Sequence, residues 1–264
     1  MTKIGRPVDW LRRRLRREDT GAPARAAAGG AVYSPELHKL FREVLRPGMT
    51  VVDVGAHHGL FTQLAAALVG PSGRVWAFEP APANFRVLRD AVRAFPQVVP
   101  VQAALSDRNG EAWLTLDRDN STQHSLEASN VGARARRSRV RALTLARALP
   151  ADLDRLDLVK IDAQGFDGAV LKGARALLKR HRPRVVFELW PAGWRAAGYE
   201  PDAVLASLAS LDYALFKLSA KGGRRPEDRV RRFLAVAGAD RWRSINVLAE
   251  HQPGRGRRAA SVEE

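Results

Sequence analysis

The 264-residue chain contains no cysteine. That absence excludes a disulfide framework and any cysteine-ligated zinc site. It also removes two catalytic chemistries, a thiolate attacking a pyrimidine ring and a thiolate-held iron–sulfur cluster. Long apolar runs are missing as well. Runs such as Leu64–Val69 fall far short of the roughly 20 residues that span a bilayer. The first residues lack the apolar stretch of a secretory signal, so a cytoplasmic protein without a membrane span is expected. No internal repeat is visible, and no G-x-G-x-x-G pyrophosphate turn follows a strand pattern.

What the chain has in excess is basic charge, a formal net +16. Residues 1–33 carry 8 basic and 3 acidic side chains, residues 221–264 carry 11 and 6, and the middle carries 25 and 19. Five of the middle's basic residues form one run: Arg134, Arg136, Arg137, Arg139 and Arg141. The basicity therefore belongs to the two ends and one loop, whereas a nucleic-acid footprint clusters on a structured face. Abundant Arg and Ala fit a GC-rich coding bias, which is favoured over phosphate binding.

Three segments are expected. Residues 1–33 read as a basic arm and Gly/Ala-rich linker, 34–250 as the folded domain, and 251–264 as a disordered basic tail. Within the domain, Ser34 is placed to cap a helix whose first position is Pro35. Near-continuous apolar strands then alternate with helices. Strands are expected at Thr50–Val54, Arg74–Phe78, Val98–Ala103, Leu156–Ile161, Arg184–Leu189 and Tyr213–Leu218. The helices between them fall at Leu60–Val69, Pro82–Phe95, Gly168–Lys179 and Pro201–Leu208. Ala112–Leu116 and Val140–Leu145 read as extra strands or a hairpin, and Ser244–Ala249 as a final antiparallel strand. Such alternation predicts an α/β fold, a mostly parallel sheet with helices on both faces.

In such sheets ligands lie beyond the carboxyl ends of the strands. Thr50-Val-Val-Asp-Val-Gly-Ala-His-His-Gly59 places Asp53, Gly55, Ala56, His57 and Gly59 at that edge. Glycine there lets a ligand approach the backbone closely. Glu79-Pro80 ends the next strand, where a carboxylate can accept from both hydroxyls of a ribose. Ser106 and Asp107 stand where an adenine amino group would fall, although the same residues make an ordinary turn. The spacing points to a cofactor with ribose and adenine but no pyrophosphate.

Asp162 and Glu188 end two further strands at the same edge, where carboxylates can position an alcohol or act as a base. Asp167 reads as a helix cap ahead of a catalytic group, and Lys160 as structural. His57 and His58 add imidazoles poised near neutral pH. The aperiodic stretch Asp117–Ser138 reads as an overhanging loop, with Asn120, Ser121, His124 and Ser125 as substrate contacts and Gln164 beside them. No ligand spacing demands a metal, although two carboxylates on neighbouring strand ends can also hold a divalent cation.

Together, Asp53-Val-Gly-Ala-His-His-Gly59, Ala77-Phe-Glu-Pro80, Ala104-Leu-Ser-Asp107, Leu158-Val-Lys-Ile-Asp162-x-x-Gly165, Val170-Leu-Lys-Gly-Ala174 and Val186-Phe-Glu188 resemble the FkbM family of S-adenosylmethionine-dependent methyltransferases. The resemblance covers about residues 50–218. It implies a Rossmann-like class I methyltransferase fold and transfer to oxygen, often a hydroxyl of a sugar, glycan or secondary metabolite. It also implies that Gly55 and its neighbours meet the methionine part of the cofactor, Glu79 the ribose, and Ser106 with Asp107 the adenine. The chain departs from the family at His57, usually Asn, and at Gln164 and Asp167, usually glutamates. On this reading Asp162, His57 or His58 takes the acceptor's proton while Glu188 orients the acceptor. An RNA methyltransferase using the basic arm and the Arg134–Arg141 run is an alternative, as is a non-catalytic cofactor-binding partner protein. Acceptor identity and oligomeric state leave no readable pattern.

Overall fold

The computed structural model describes residues 34–117, 124–131, 135–219, 224–225, 227–237 and 242–254. The arm at 1–33, Asn120, Ser121, Arg134 and the tail from 255 onward lie outside the described residues.

Helix α1 (Pro35–Val44) leads into an alternation of β1 (Thr50–Val54), α2 (Leu60–Val69), β2 (Arg74–Phe78), α3 (Pro82–Ala91) and β3 (Val98–Val101). An excursion follows through β4 (Ala104–Leu105), β5 (Gly110–Asp117), β6 (Ala135–Leu143) and α4 (Leu145–Ala148). The alternation then resumes with β7 (Leu158–Ile161), α5 (Asp167–His181), β8 (Arg184–Leu189), α6 (Pro191–Ala196), α7 (Pro201–Ala209) and β9 (Tyr213–Leu218). It ends with β10 (Arg224–Arg225), α8 (Glu227–Ala237) and β11 (Ile245–His251).

The main sheet runs β10-β9-β11-β8-β7-β1-β2-β3. Strands β3, β2, β1, β7 and β8 pair in parallel, and β11 inserts antiparallel between β8 and β9. This is the Rossmann-like order, with its final antiparallel strand. The chain steps outward from β1 to β3, then returns to β7 on the other side of β1. The switch point therefore lies between β1 and β7, where open α/β sheets bind ligands.

Strand alternation sends Val52, Val54, Val159, Ile161, Val185, Phe187 and Leu189 into one core, and Val51, Leu158, Val186 and Leu248 into another beneath α1 and α2. On the second face the same two-residue period places Asp53, Lys160, Glu188 and Asn246 near the carboxyl edge of the parallel strands. A row of polar groups thus crosses four strands just below the site.

Three expectations need correction. The third strand stops at Val101, because Ala104–Leu105 leaves the main sheet and pairs in parallel with Ala142–Leu143 of a second, three-stranded sheet. The helix expected over Pro82–Phe95 ends at Ala91, and a Phe95-to-Val92 backbone turn replaces its last residues. Ser34 occupies the N-cap of α1 without a side-chain capping bond. Its hydroxyl lies instead 3.5 Å from the Asn246 amide nitrogen.

Candidate functional site

A cavity of about 390 Å³ opens at the carboxyl edge beside the switch point, within the range of about 300–1,000 Å³ typical of small-ligand pockets. The loop after β1, the end of β2 and the segment after β7 form one side. Glu188 of β8, Asn246 of β11 and Leu37 of α1 close the far side, and Leu114, His124 and Leu126 roof it from the β5–β6 hairpin.

Gly55 is where two strand ends cross. Its φ is +69°, and a Cβ there would lie 1.9 Å from the Asp162 carbonyl oxygen. No side chain fits that gap. The Gly55 and Ala56 amides both donate to Phe78 O at 3.0 Å, and the His57 amide donates to Glu79 Oε2 at 2.8 Å. The other Glu79 oxygen accepts from the Ala81 amide at 2.9 Å. Burial pushes the Glu79 carboxyl up to about 7, so it carries charge only where these donors and a ligand's hydroxyls support it. His57 holds a left-handed φ of 50°, and its ring stacks on His58 at 3.7 Å. His58 in turn meets Asn84 Oδ1 at 3.2 Å. Such backbone strain persists where surrounding bonds over-determine it, commonly at ligand sites.

Asp53 does not line the cavity. It is completely buried, with Thr62 donating to Oδ2 at 2.6 Å and the Lys160 ammonium 3.1 Å from Oδ1. In this structure the acid, expected at the cofactor, bonds Thr62 and Lys160 and anchors the first strand from beneath. Lys160 also donates to the carbonyls of Gly55 at 2.9 Å and Val54 at 3.2 Å. Burial opposes its charge, but Asp53 and then Asp162 outweigh that and hold the ammonium above its ordinary value. The pair thus pins the cofactor loop to β7.

Asp162 reaches the cavity with its side chain 40% exposed, 3.8 Å from the same ammonium. Gln164 Nε2 donates to Asp162 Oδ1 at 2.7 Å, a bond a glutamate at 164 could make only by carrying a proton. Glu188 accepts from the Ser244 hydroxyl at 2.7 Å. Burial, then the Asp162 charge, pushes its carboxyl to about 7. Asp167 is wholly buried and accepts from the Ala163 and Glu188 amides. Burial first, then Glu188 and Asp162, raises it well above the usual carboxylate range. It makes no side-chain cap for α5; it ties the loop after β7 to β8.

The roof explains the remaining positions. His124 faces the cavity. Ser125 does not line it: its hydroxyl donates to Gln164 O at 2.8 Å and its backbone pairs with Thr115, so it holds the loop in which Gln164 has a φ of 50°. Ser106 and Asp107 also lie off the cavity wall. Ser106 is buried, while Asp107 pairs with Lys172 at 3.0 Å and is held below its usual range mainly by Lys172 and Tyr199, against burial. Gly59 likewise stands behind the wall, where a Cβ would press on Leu88. Asn120 lies outside the described residues.

Ala56, His57, His58, Glu79, Pro80, Asp162, Gln164 and Glu188 do meet at the cavity, and Ser34, Asn84 and Asn246 join them unexpectedly. Asn246 donates to Glu36 Oε1 at 2.9 Å. Its signal was present as a polar residue among the apolar Ile245, Val247, Leu248 and Ala249 of β11, two positions after Ser244. The described arginines of the basic run stand on β6, away from the cavity wall: Arg139 bonds Glu111 at 2.8 Å, and Arg137 lies over Trp113 at 5.2 Å.

Comparison with known proteins supplies the context. The methyltransferase FkbM domain matches residues 53–215. The 31-O-demethyl-FK506 methyltransferase FkbM of Streptomyces tacrolimicus is 40% identical over 127 residues, covering 43% of this chain and 47% of that protein. The ribosomal RNA large subunit methyltransferase E of Alkalilimnicola ehrlichii is 40% identical over 68 residues, 25% of this chain and 32% of that protein. The chain thus spans less than half the length of either relative. A solved methyltransferase FkbM from Methylobacillus flagellatus aligns with 80% of this chain and 50% of its own, at 16% identity and a TM-score of 0.46.

Proposed function

The chain belongs to the methyltransferase FkbM family, whose members use S-adenosylmethionine, and on that premise we propose that it methylates the hydroxyl of a neutral small-molecule or glycan acceptor. The observation that carries the reading is the charge of the cavity. Glu79, Asp162 and Glu188 face it, and among the described lining residues the one lysine, Lys160, is engaged by Asp53. A phosphodiester acceptor would meet the Asp162 carboxylate there and, as pH rises through about 7, those of Glu79 and Glu188 as well, in a partly desolvated site where repulsion is strong.

The residues fit the cofactor. Gly55 clears the backbone for close approach, and Glu79 presents a carboxylate already held by two amides. When bound, S-adenosylmethionine supplies a sulfonium-activated methyl group. The chain's own task is to align the acceptor oxygen and remove its proton. Glu188 is assigned as the base, because a base is most effective when its pKa lies near the working pH, and this carboxyl stands at about 7. Asp162, oriented by Gln164, holds the acceptor hydroxyl. His57 and His58 shape the cofactor side of the cavity. Burial of the acceptor beneath Leu114 and Leu126 limits competing water.

The test is direct. Calorimetry with S-adenosylmethionine and with NAD separates the cofactor classes, and release of S-adenosylhomocysteine is followed over a panel of alcohols, sugars and short RNAs. Turnover on RNA alone refutes the acceptor assignment. Failure to bind S-adenosylmethionine refutes the reading as a whole.

A further inference from the structure

Much of the basic run of the sequence stands on an ordered sheet face. In β6, Arg137, Arg139 and Arg141 are exposed, and the β5–β6 register sets them opposite Thr115, Trp113 and Glu111. The two-residue period of a strand puts them on one face, turned away from Leu114, which roofs the cavity. Two of the guanidiniums reach back across β5. Arg139 meets Glu111 at 2.8 Å, and Arg137 lies over the Trp113 ring at 5.2 Å. Trp113 itself is 49% exposed. Three cations against one carboxylate leave the face with surplus positive charge. Beside it runs an open sheet edge, because β5 is an outer strand of the three-stranded sheet. At Thr115 the outward amide and carbonyl pair with Ser125 at 2.8 and 3.1 Å. The alternation of an antiparallel ladder turns the amides and carbonyls of Trp113 and Glu111 the same way, and among the described residues no strand pairs with them on that side.

We propose that the β5 edge is a docking strand for an extended, acidic segment of a partner protein. The segment adds beside β5 through main-chain hydrogen bonds to Glu111 and Trp113, the way sheet edges recognise peptides. Its carboxylates, repeating at every second residue, face the guanidiniums of Arg137 and Arg139. Those heads already lie over β5, one strand spacing from the added chain. The Arg139–Glu111 pair is the chain's own instance of a carboxylate held on this face. Tryptophan and arginine are also the residue types that concentrate binding energy at protein interfaces. A nucleic-acid strand would use the charge but not the edge, and it would find one exposed ring where single-strand platforms stack successive bases. The docking strand stands whether or not the cavity transfers a methyl group.

Fluorescence anisotropy on the full chain tests this. The probes are a labelled peptide alternating threonine and glutamate, its threonine–lysine counterpart, and an oligouridine of equal length. Two further acidic peptides are N-methylated on alternate residues, one in each frame. The acidic peptide binds and the lysine peptide does not. Trp113→Ala weakens binding about fivefold, and Arg137→Ala combined with Arg139→Ala about tenfold, the size of interface contacts of these types. One N-methylated frame, whose lost donors would face β5, binds far more weakly than the other. Unchanged thermal midpoints show that the variants stay folded, and Arg137→Lys combined with Arg139→Lys, which keeps the charge, retains part of the affinity. No binding to the wild type, or equal binding to the folded alanine variants, overturns the proposal. Equal affinity in both N-methylated frames and the parent peptide overturns strand addition. Tighter binding of oligouridine than of the acidic peptide assigns the face to nucleic acid and overturns it as well.

Discussion

Replacing Lys160 by methionine isolates the ion pair on which the cofactor loop rests. The substitution keeps most of the buried volume and deletes the charge. In the wild type the ammonium is 3.1 Å from Asp53 Oδ1, with 3% of the lysine side chain and none of the aspartate exposed. At that distance the attraction is about 5 kcal/mol for an effective dielectric of about 20. Removing one partner of a buried pair is measured at about 3–5 kcal/mol, because the other charge stays desolvated. Asp53 would keep only the Thr62 bond, and two carbonyls would lose a donor. A loss of about 4 kcal/mol is therefore expected at pH 8, a large share of the roughly 5–15 kcal/mol of a typical domain. Urea unfolding followed by circular dichroism at pH 8 measures this. Asp53→Asn combined with Lys160→Met should be less destabilised than the sum of the two single variants by at least about 2 kcal/mol. A single variant within about 1 kcal/mol of wild type, or strict additivity in the double variant, would refute the argument.

Gly55→Ala should abolish measurable cofactor binding by calorimetry, since its Cβ would overlap the Asp162 carbonyl and the turn must open; retained affinity refutes the close-crossing argument. Glu188→Gln should lower kcat by about 10²- to 10⁴-fold and remove the rise of activity with pH through about 7, whereas Asp162→Asn should mainly raise the acceptor KM. The reverse pattern would make Asp162 the base. Glu79 supplies a stability test. Its pKa is 4.5 unperturbed and about 7 in the fold, so the folded state binds the extra proton and stability falls as pH rises between those values. The loss reaches about 3 kcal/mol above pH 7 in cofactor-free protein, and Glu79→Gln should flatten that slope in urea titrations.

Much of the fold is legible because its strands are continuous apolar runs rich in Val, Ile, Leu and Phe. Thr50–Val54, Arg74–Phe78, Arg184–Leu189 and Tyr213–Leu218 are strands over the expected residues for that reason. The excursion after β3 is less legible. Ala104–Leu105 changes sheets because its partner is Ala142–Leu143, and nothing local announces that choice. Side-chain direction is harder still. An acid at a strand end can face the ligand or the core, and Asp53 faces the core because Lys160, opposite it in the β1–β7 register, claims it. The same ambiguity places Asp107 against Lys172 and turns Ser125 toward the Gln164 carbonyl. Asn246 joins the wall through Glu36, 210 residues away in sequence, a distance no local pattern bridges.

Net charge and site charge point in opposite directions in this molecule, and the site decides what binds. The formal charge of +16 invites a nucleic-acid partner. Yet the described arginines of the basic run sit on exposed positions of β6, one neutralised by Glu111 and another resting on Trp113. The β5–β6 hairpin turns Leu114 toward the cavity while Trp113 remains exposed. Arginine charge therefore acts through water, where it is screened within about 8–10 Å. The Asp162 carboxylate, joined by Glu79 and Glu188 as pH rises through about 7, acts inside a partly desolvated pocket, where the same charge counts several times more. A cationic methyl donor suits that inner field, and so does the neutral hydroxyl acceptor proposed above, whatever the outer surface attracts.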